Sequence, residues 1–203
     1  MTKQHKQDTA TRILDASLAL IAEKGADALR TREILERAEI SNLSAINYYF
    51  GSLDQLRLRI LEHYFEGARP IITGIDDEDN PREALLGYCR RAARFVLDHP
   101  TLERNILFLA LSGDPQTATP FSKIIAENIS ALTRLILRAR KEHDPIKAKH
   151  DAITLASATI YPLLLISYGP GSVGIDFSDE GEREKYFTNL VDVLLGSSNL
   201  SSV

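Results

Sequence analysis

Residues 31–56 read TREILERAEISNLSAINYYFGSLDQL. Two short segments with apolar residues at helical spacing flank the four-residue turn Ala38-Glu39-Ile40-Ser41. The first, opened by Thr31 as a cap, carries Ile34 and Leu35 inward. The second, capped by Ser41, runs from Asn42 to about Tyr49 and is stopped by Gly51. Ser52 with Gln55 three residues on predicts a capping box for a further helix carrying Leu53, Leu56, Ile60, Leu61 and Tyr64. Helix, tight turn, helix is the geometry of a helix-turn-helix, whose second helix fits a DNA major groove about 12 Å wide.

The residue types suit that surface. Asn42, Ser44 and Asn47 are short hydrogen-bonding side chains able to reach base edges, and Leu43 and Ala45 can pack on a thymine methyl. Tyr48 and Tyr49 are about 100° apart on a helix, so at least one faces outward. Free N–H groups near Ser52 would hold a phosphate.

Outward from this stretch the chain reads as helical almost throughout. A first helix over about Thr9 to Lys24 places Ile13, Ser17, Leu20 and Ile21 on one side and ends at Gly25. The polar stretch Gly74 to Asn80 reads as a joint. Asn80-Pro81-Arg82-Glu83 is a strong helix start, and Asp144-Pro145 is another. Further helices are predicted over roughly Thr101 to Leu111, Pro120 to Glu142, Pro145 to Tyr168 and Ser178 to Leu195. The predicted fold is all-α with about nine helices: a domain over residues 1–52 that reads DNA, and a larger body over 53–203 with helix four as connector.

Composition is that of a globular chain, with 44% hydrophobic and 26% charged residues over 203 positions and a net charge of −4. The acidity lies in the body, and the first sixty residues are slightly basic. One cysteine, Cys89, forms no internal disulfide and reads as a small core residue. The polar N-terminal stretch lacks the apolar core of a secretory signal, which predicts a cytoplasmic location. Residues 152–168 hold no charge, but Thr154, Ser157, Thr159, Pro162 and Ser167 favour a buried helix over a membrane span.

Enzyme chemistry finds little support. The five histidines (His5, His63, His99, His143, His150) are scattered without metal-ligand spacing, and no glycine-rich phosphate loop or nucleophile elbow is present. No catalytic residue, metal or cofactor is assigned.

Thr31 to Ser41, followed by Ala45-Ile-Asn-Tyr-Tyr-Phe-Gly-Ser-Leu-Asp-Gln-Leu56, resembles the DNA-binding signature of the TetR family of repressors, especially members with an Ala-Ile-Asn-Tyr-His-Phe-Gly core. Ile13, Leu14, Ala16, Ser17, Ile21 and Gly25 resemble that family's first helix, so the likeness spans about residues 9–60. The resemblance implies a ligand-responsive repressor of the bacterial nucleoid that binds a palindromic operator as a homodimer. Thr31 and Tyr48 are implied phosphate contacts, with Arg32, Ser41, Tyr49 and Ser52 beside them, and Asn42, Leu43, Ser44 and Asn47 the base-reading set.

The sequence departs from the family pattern at three places. Glu39 replaces a turn glycine, predicting strain in a left-handed conformation, Tyr49 replaces a histidine, and Leu53 replaces a lysine. The Glu39 and Leu53 changes lower the local positive charge. They keep open an alternative, a helical small-molecule-binding protein with weakened DNA binding.

For the body, the resemblance implies a dimer interface from the last two helices, the ninth presenting Phe187, Leu190, Val191 and Leu194. It also implies a pocket for a small-molecule effector of unknown identity. Candidate lining residues are Tyr88, Phe95, Phe108, Phe121, Tyr161 and Tyr168, with plain core packing as the alternative. Arg91, Arg94 and Arg104 can reach an acidic ligand, or else face solvent or acidic partners.

Overall fold

The structure, a computed structural model, describes residues 3–111, 115–140, 144–166, 169 and 174–196. These fold as nine α-helices and three short 3-10 turns, with no strand among them. The helices are α1 (Lys3–Lys24), α2 (Thr31–Arg37), α3 (Ala45–Phe50), α4 (Leu53–Ala68), α5 (Pro81–Asp98), α6 (Pro100–Ala110), α7 (Pro115–Ala139), α8 (Pro145–Leu164) and α9 (Glu180–Leu195). The chain packs as two compact units, one of Met1–Gly67 with Thr101–Ile124, the other of Ala68–Pro100 with Ile125–Val203. Packing therefore divides the chain differently from the sequence-based break after residue 52. Helices α4 and α6 share a core with the head, because their apolar residues Leu56, Ile60, Leu61 and Ile106 are buried there.

In the first unit, Ile13, Ile21, Leu29, Ile34, Leu35, Ile46, Leu56 and Ile60 are removed from solvent. Burying each such side chain contributes about 1.5–3 kcal/mol. Ser17 is equally buried and satisfies its hydroxyl by donating to Ile13 O at 2.7 Å. Gly25 leaves α1 at φ 84°, and Asn105 of α6 donates to the α1 carbonyl of Ile21 at 2.8 Å.

In the second unit, α5 packs against α8 and α9. The core joins Tyr88, Cys89, Ala92 and Val96 of α5 to Leu132, Leu135 and Ile136 of α7, Ala152, Leu155 and Leu163 of α8, and Phe187 and Val191 of α9. The expected starts of α5 and α8 are present. Asn80 accepts from the N–H groups of Arg82 and Glu83, and Asp144 from those of Ile146 and Lys147. Arg82 pairs with Asp192 at 2.6 Å, and Arg90 Nε donates to Glu184 at 2.9 Å, tying α5 to α9.

Several expectations are corrected. Thr31 is the first helical residue of α2 rather than its cap. Helix α3 begins at Ala45, not Asn42, because the Asn42 side chain accepts from Ser44 N–H at 3.0 Å and holds a turn there instead of a helix; Ser41 does not cap it. Helix α7 begins at Pro115, and α9 is capped by Asp179 rather than started at Ser178. The stretch Gly74 to Asn80 is tied down. Ile75 is buried, Asp76 pairs with Arg134 at 2.8 Å, and Arg138 donates to the carbonyls of Asp76 and Glu78. Phe187 and Val191 face their own core rather than a partner, and Val193 is the exposed apolar residue of α9. Helix α8 leaves Ile146, Ile153 and Tyr161 exposed, and Tyr168 lies outside the described residues. No helix among the described residues is long and apolar enough to cross a membrane.

Candidate nucleic-acid interface

The turn between α2 and α3 is built by backbone bonds that close around a left-handed residue. Glu39 N–H donates to Glu36 O at 3.0 Å and Ile40 N–H to Leu35 O at 2.8 Å, with Glu39 at φ 55°. The strain expected there from the sequence is present. From α1, Arg12 donates to Ala38 O at 2.6 Å and to Glu39 O at 3.3 Å. Sequence reasoning missed Arg12, since nothing local in the chain links it to a turn 27 residues away.

Beyond the turn, Ala45 and Ile46 anchor α3 in the core, so Ala45 does not reach a thymine methyl. Ser41, Asn42, Leu43, Ser44, Asn47 and Tyr48 are exposed, with Leu43 at 59% and Tyr48 at 60%. Ser44, Asn47 and Tyr48 share one helical face by their spacing. Tyr49 is half-buried and meets Tyr48 edge to face, with ring centroids 4.9 Å apart. Gly51 ends α3 at φ 86°, and Ser52 Oγ accepts from Gln55 N–H at 3.1 Å at the start of α4.

Four cations of this unit, Lys24, Arg37, Arg57 and Arg59, are paired with carboxylates. Lys24 meets Glu33 at 3.0 Å, Arg57 meets Asp54 at 2.8 Å, and Arg59 meets Glu62 at 2.7 Å. Arg37 binds Glu23, which lowers the Glu23 pKa and raises that of Arg37. Among the described residues, Arg30 and Arg32 carry no such pair; both are exposed and flank half-buried Thr31 at the start of α2. Arg30 was not singled out from the sequence.

The ring residues proposed for a ligand pocket fall in different settings. In the second unit Tyr88 is buried, Phe95 half-buried and Tyr161 exposed. In the first unit Phe108 is exposed, and half-buried Phe121 stacks at a tilt on Phe65, centroids 5.5 Å apart. Cys89 is fully buried against Thr159, and burial pushes its thiol pKa up to about 11, which suits a core residue rather than a reactive one. Among the described residues no three His, Cys, Asp or Glu side chains are placed to hold a metal ion.

Comparison with known proteins bears on this geometry. Residues 13–60 match the model of the family described as bacterial regulatory proteins, tetR family. None of the curated proteins matches the chain. Among solved structures, a transcriptional regulator from Rhodococcus sp. Rha1 is similar with a TM-score of 0.76 and 16% identity, over 95% of this chain and 99% of that one. A TetR-like transcriptional regulator from Rhodococcus sp. RHA1 gives 0.71 and 16%, over 98% and 100%. The multidrug binding protein EbrR, solved with imidazole, gives 0.58 and 21%, over 89% and 93%. At such identities the likeness is one of fold, and it runs the length of the chain.

Proposed function

We propose that this protein is a ligand-responsive transcription regulator that represses by binding a palindromic operator as a homodimer. The observation that carries the reading is the exposed polar surface of the Asn42 turn and α3, in a helix-turn-helix whose sequence matches a family of bacterial regulators. Asn42, Leu43, Ser44 and Asn47 read base edges. Thr31, Arg32, Ser41, Tyr48, Tyr49 and Ser52 position the phosphates, with Arg30 added by its unpaired charge. Residues 1–52 bind DNA, and 53–203 bind the effector and dimerise. The exposed apolar side of α8 (Ile146, Ile153, Tyr161) and Val193 of α9 support self-association. The protein is not an enzyme and acts in the cytoplasm.

Release follows from a population shift. The dimer samples a spacing that sets its recognition helices about 34 Å apart, one turn of DNA. An effector that binds another spacing better draws the population away from DNA, and one that binds both equally shifts nothing.

A second reading, a small-molecule-binding protein with weakened DNA binding, is favoured by the strained Glu39 and by Leu53 where a phosphate-binding cation would serve. Fluorescence anisotropy on the DNA flanking the protein's own coding region separates the two. Sequence-selective, salt-sensitive binding supports the regulator; uniform weak binding across all fragments supports the alternative.

A further inference from the structure

Helix α1 grips the helix-turn-helix in two different ways. Lys24 pairs with Glu33 at 3.0 Å, and Glu23 with Arg37, side chain to side chain in contact with solvent, where such pairs contribute little. Arg12 instead reaches the main chain of the turn. Its Nη2 donates to Ala38 O at 2.6 Å and to Glu39 O at 3.3 Å. The two main-chain bonds that close the turn end on Glu36 O and Leu35 O, so they leave the carbonyls of Ala38 and Glu39 to the guanidinium. Ile13, beside Arg12 in the chain, is fully buried, which roots the arginine in the core of its unit.

What the turn needs from this contact is a backbone state. Glu39 stands at φ 55°, a left-handed conformation that a residue with a side chain rarely holds unaided. Beyond it the chain runs through Asn42, whose side chain accepts from Ser44 N–H at 3.0 Å, and then enters α3. Ala45 and Ile46 are buried and fix the inner side of α3. A rotation of the Glu39 backbone therefore falls on Ser41, Asn42, Leu43 and Ser44, all of them exposed. Hydrogen bonds to base edges need close distances and angles, whereas contacts spread over many phosphates tolerate a small displacement.

We propose that Arg12 is a positioning residue for base reading: it holds Glu39 left-handed through the oxygens of Ala38 and Glu39, and so sets the angle at which residues 41–44 meet DNA. The proposal deepens the regulator reading above and rests on it. Arg12 acts through the turn and not through a phosphate, so its charge adds nothing to the salt dependence of binding. Glycine at position 39 reaches the left-handed state without strain, so a chain with that glycine depends less on Arg12.

The test uses the full-length protein and has two arms. Hydrogen exchange without DNA reads the turn itself. Arg12→Ala should speed exchange of the Glu39, Ile40 and Ser44 amides by about fivefold or more relative to the interior amides of α4, and by less when Glu39→Gly is also present. Fluorescence anisotropy, on an operator fragment selected from the DNA flanking the coding region, reads the consequence. Arg12→Ala should weaken operator binding by about fivefold or more while binding to unrelated DNA changes by less than about twofold. The slope of log K against log[salt] should stay that of the wild type, and Glu39→Gly should remove most of the loss. Ile21→Val, which trims the core of the same unit away from the turn, should leave affinity unchanged where all variants are folded. Equal weakening on both DNAs, a loss that Glu39→Gly leaves intact, or unchanged exchange at the turn overturns the proposal. So does a slope shallower by about 0.9, which would make Arg12 a phosphate contact. A wild-type protein that binds no fragment selectively overturns the regulator reading instead, and the exchange arm then still decides whether Arg12 holds the turn.

Discussion

Arg12 of α1 holds the main-chain oxygen of Glu39, the one non-glycine residue at positive φ among the described residues. The same guanidinium takes the neighbouring oxygen of Ala38. A left-handed conformation costs a residue with a side chain about 1–2 kcal/mol, and glycine avoids that cost while freeing the unfolded chain. Glu39→Gly is therefore expected to raise stability by a few tenths to about 1 kcal/mol, a Tm gain of roughly 1–4 °C. Arg12→Ala should lower stability by about 1 kcal/mol, since two carbonyls lose a charged donor. Thermal unfolding monitored by circular dichroism checks both; a lower Tm for Glu39→Gly would contradict the strain.

Leu53, half-buried at the first position of α4, leaves the helix start without a cation. A lysine there can lay its stem on the same apolar surface and carry its ammonium out to a phosphate. Leu53→Lys should steepen the slope of log K against log[salt] for operator binding by about 0.9. An unchanged slope would mean that position 53 does not approach the backbone.

Asn47 and Tyr48 are adjacent on α3, both exposed, and the proposed roles differ. Asn47→Ala should relax discrimination among operator variants by about 1–3 kcal/mol at one base pair. Tyr48→Phe removes the hydroxyl proposed to contact phosphate and should weaken every sequence alike. Anisotropy titrations across a set of single-base operator variants separate the patterns, and uniform weakening by Asn47→Ala would remove it from the base-reading set.

Glu103 of α6 accepts a hydrogen bond from Tyr64 of α4, and burial pushes its pKa from 4.5 up to about 7. Between those values the folded protein binds more protons than the unfolded chain, so stability falls as pH rises from 4.5 through 7 and then levels off. At about 1.4 kcal/mol per pH step the loss amounts to roughly 3–4 kcal/mol. Glu103→Gln should flatten this part of the profile, narrowing the Tm difference between acidic and mildly alkaline buffer by several degrees. A Tm difference equal to that of wild type would show that other groups carry the pH dependence.

Much of the helical pattern was legible in the sequence because it is written in short-range bonds. Asn80 and Asp144 cap α5 and α8 through N–H groups two and three residues on, and Ser52 meets Gln55 three residues on. The strain at Glu39 followed from the resemblance, whose pattern has glycine at that turn position. Asn42 shows where that logic has a competitor: its side chain closes a local turn of comparable strength, and α3 starts three residues later than its apolar pattern suggests.

What the sequence by itself determined, then, is the helical class and the capping that opens α4, α5 and α8, set by residues a few positions apart. Only the tertiary structure decided that Arg12 supports the turn and that Tyr64 meets Glu103 across 39 residues. The same holds for Phe108 and Tyr161, aromatic residues that lie exposed rather than in a core. Each of these depends on which helix faces which, and periodicity tells that a helix has an apolar side without naming the helix that will cover it.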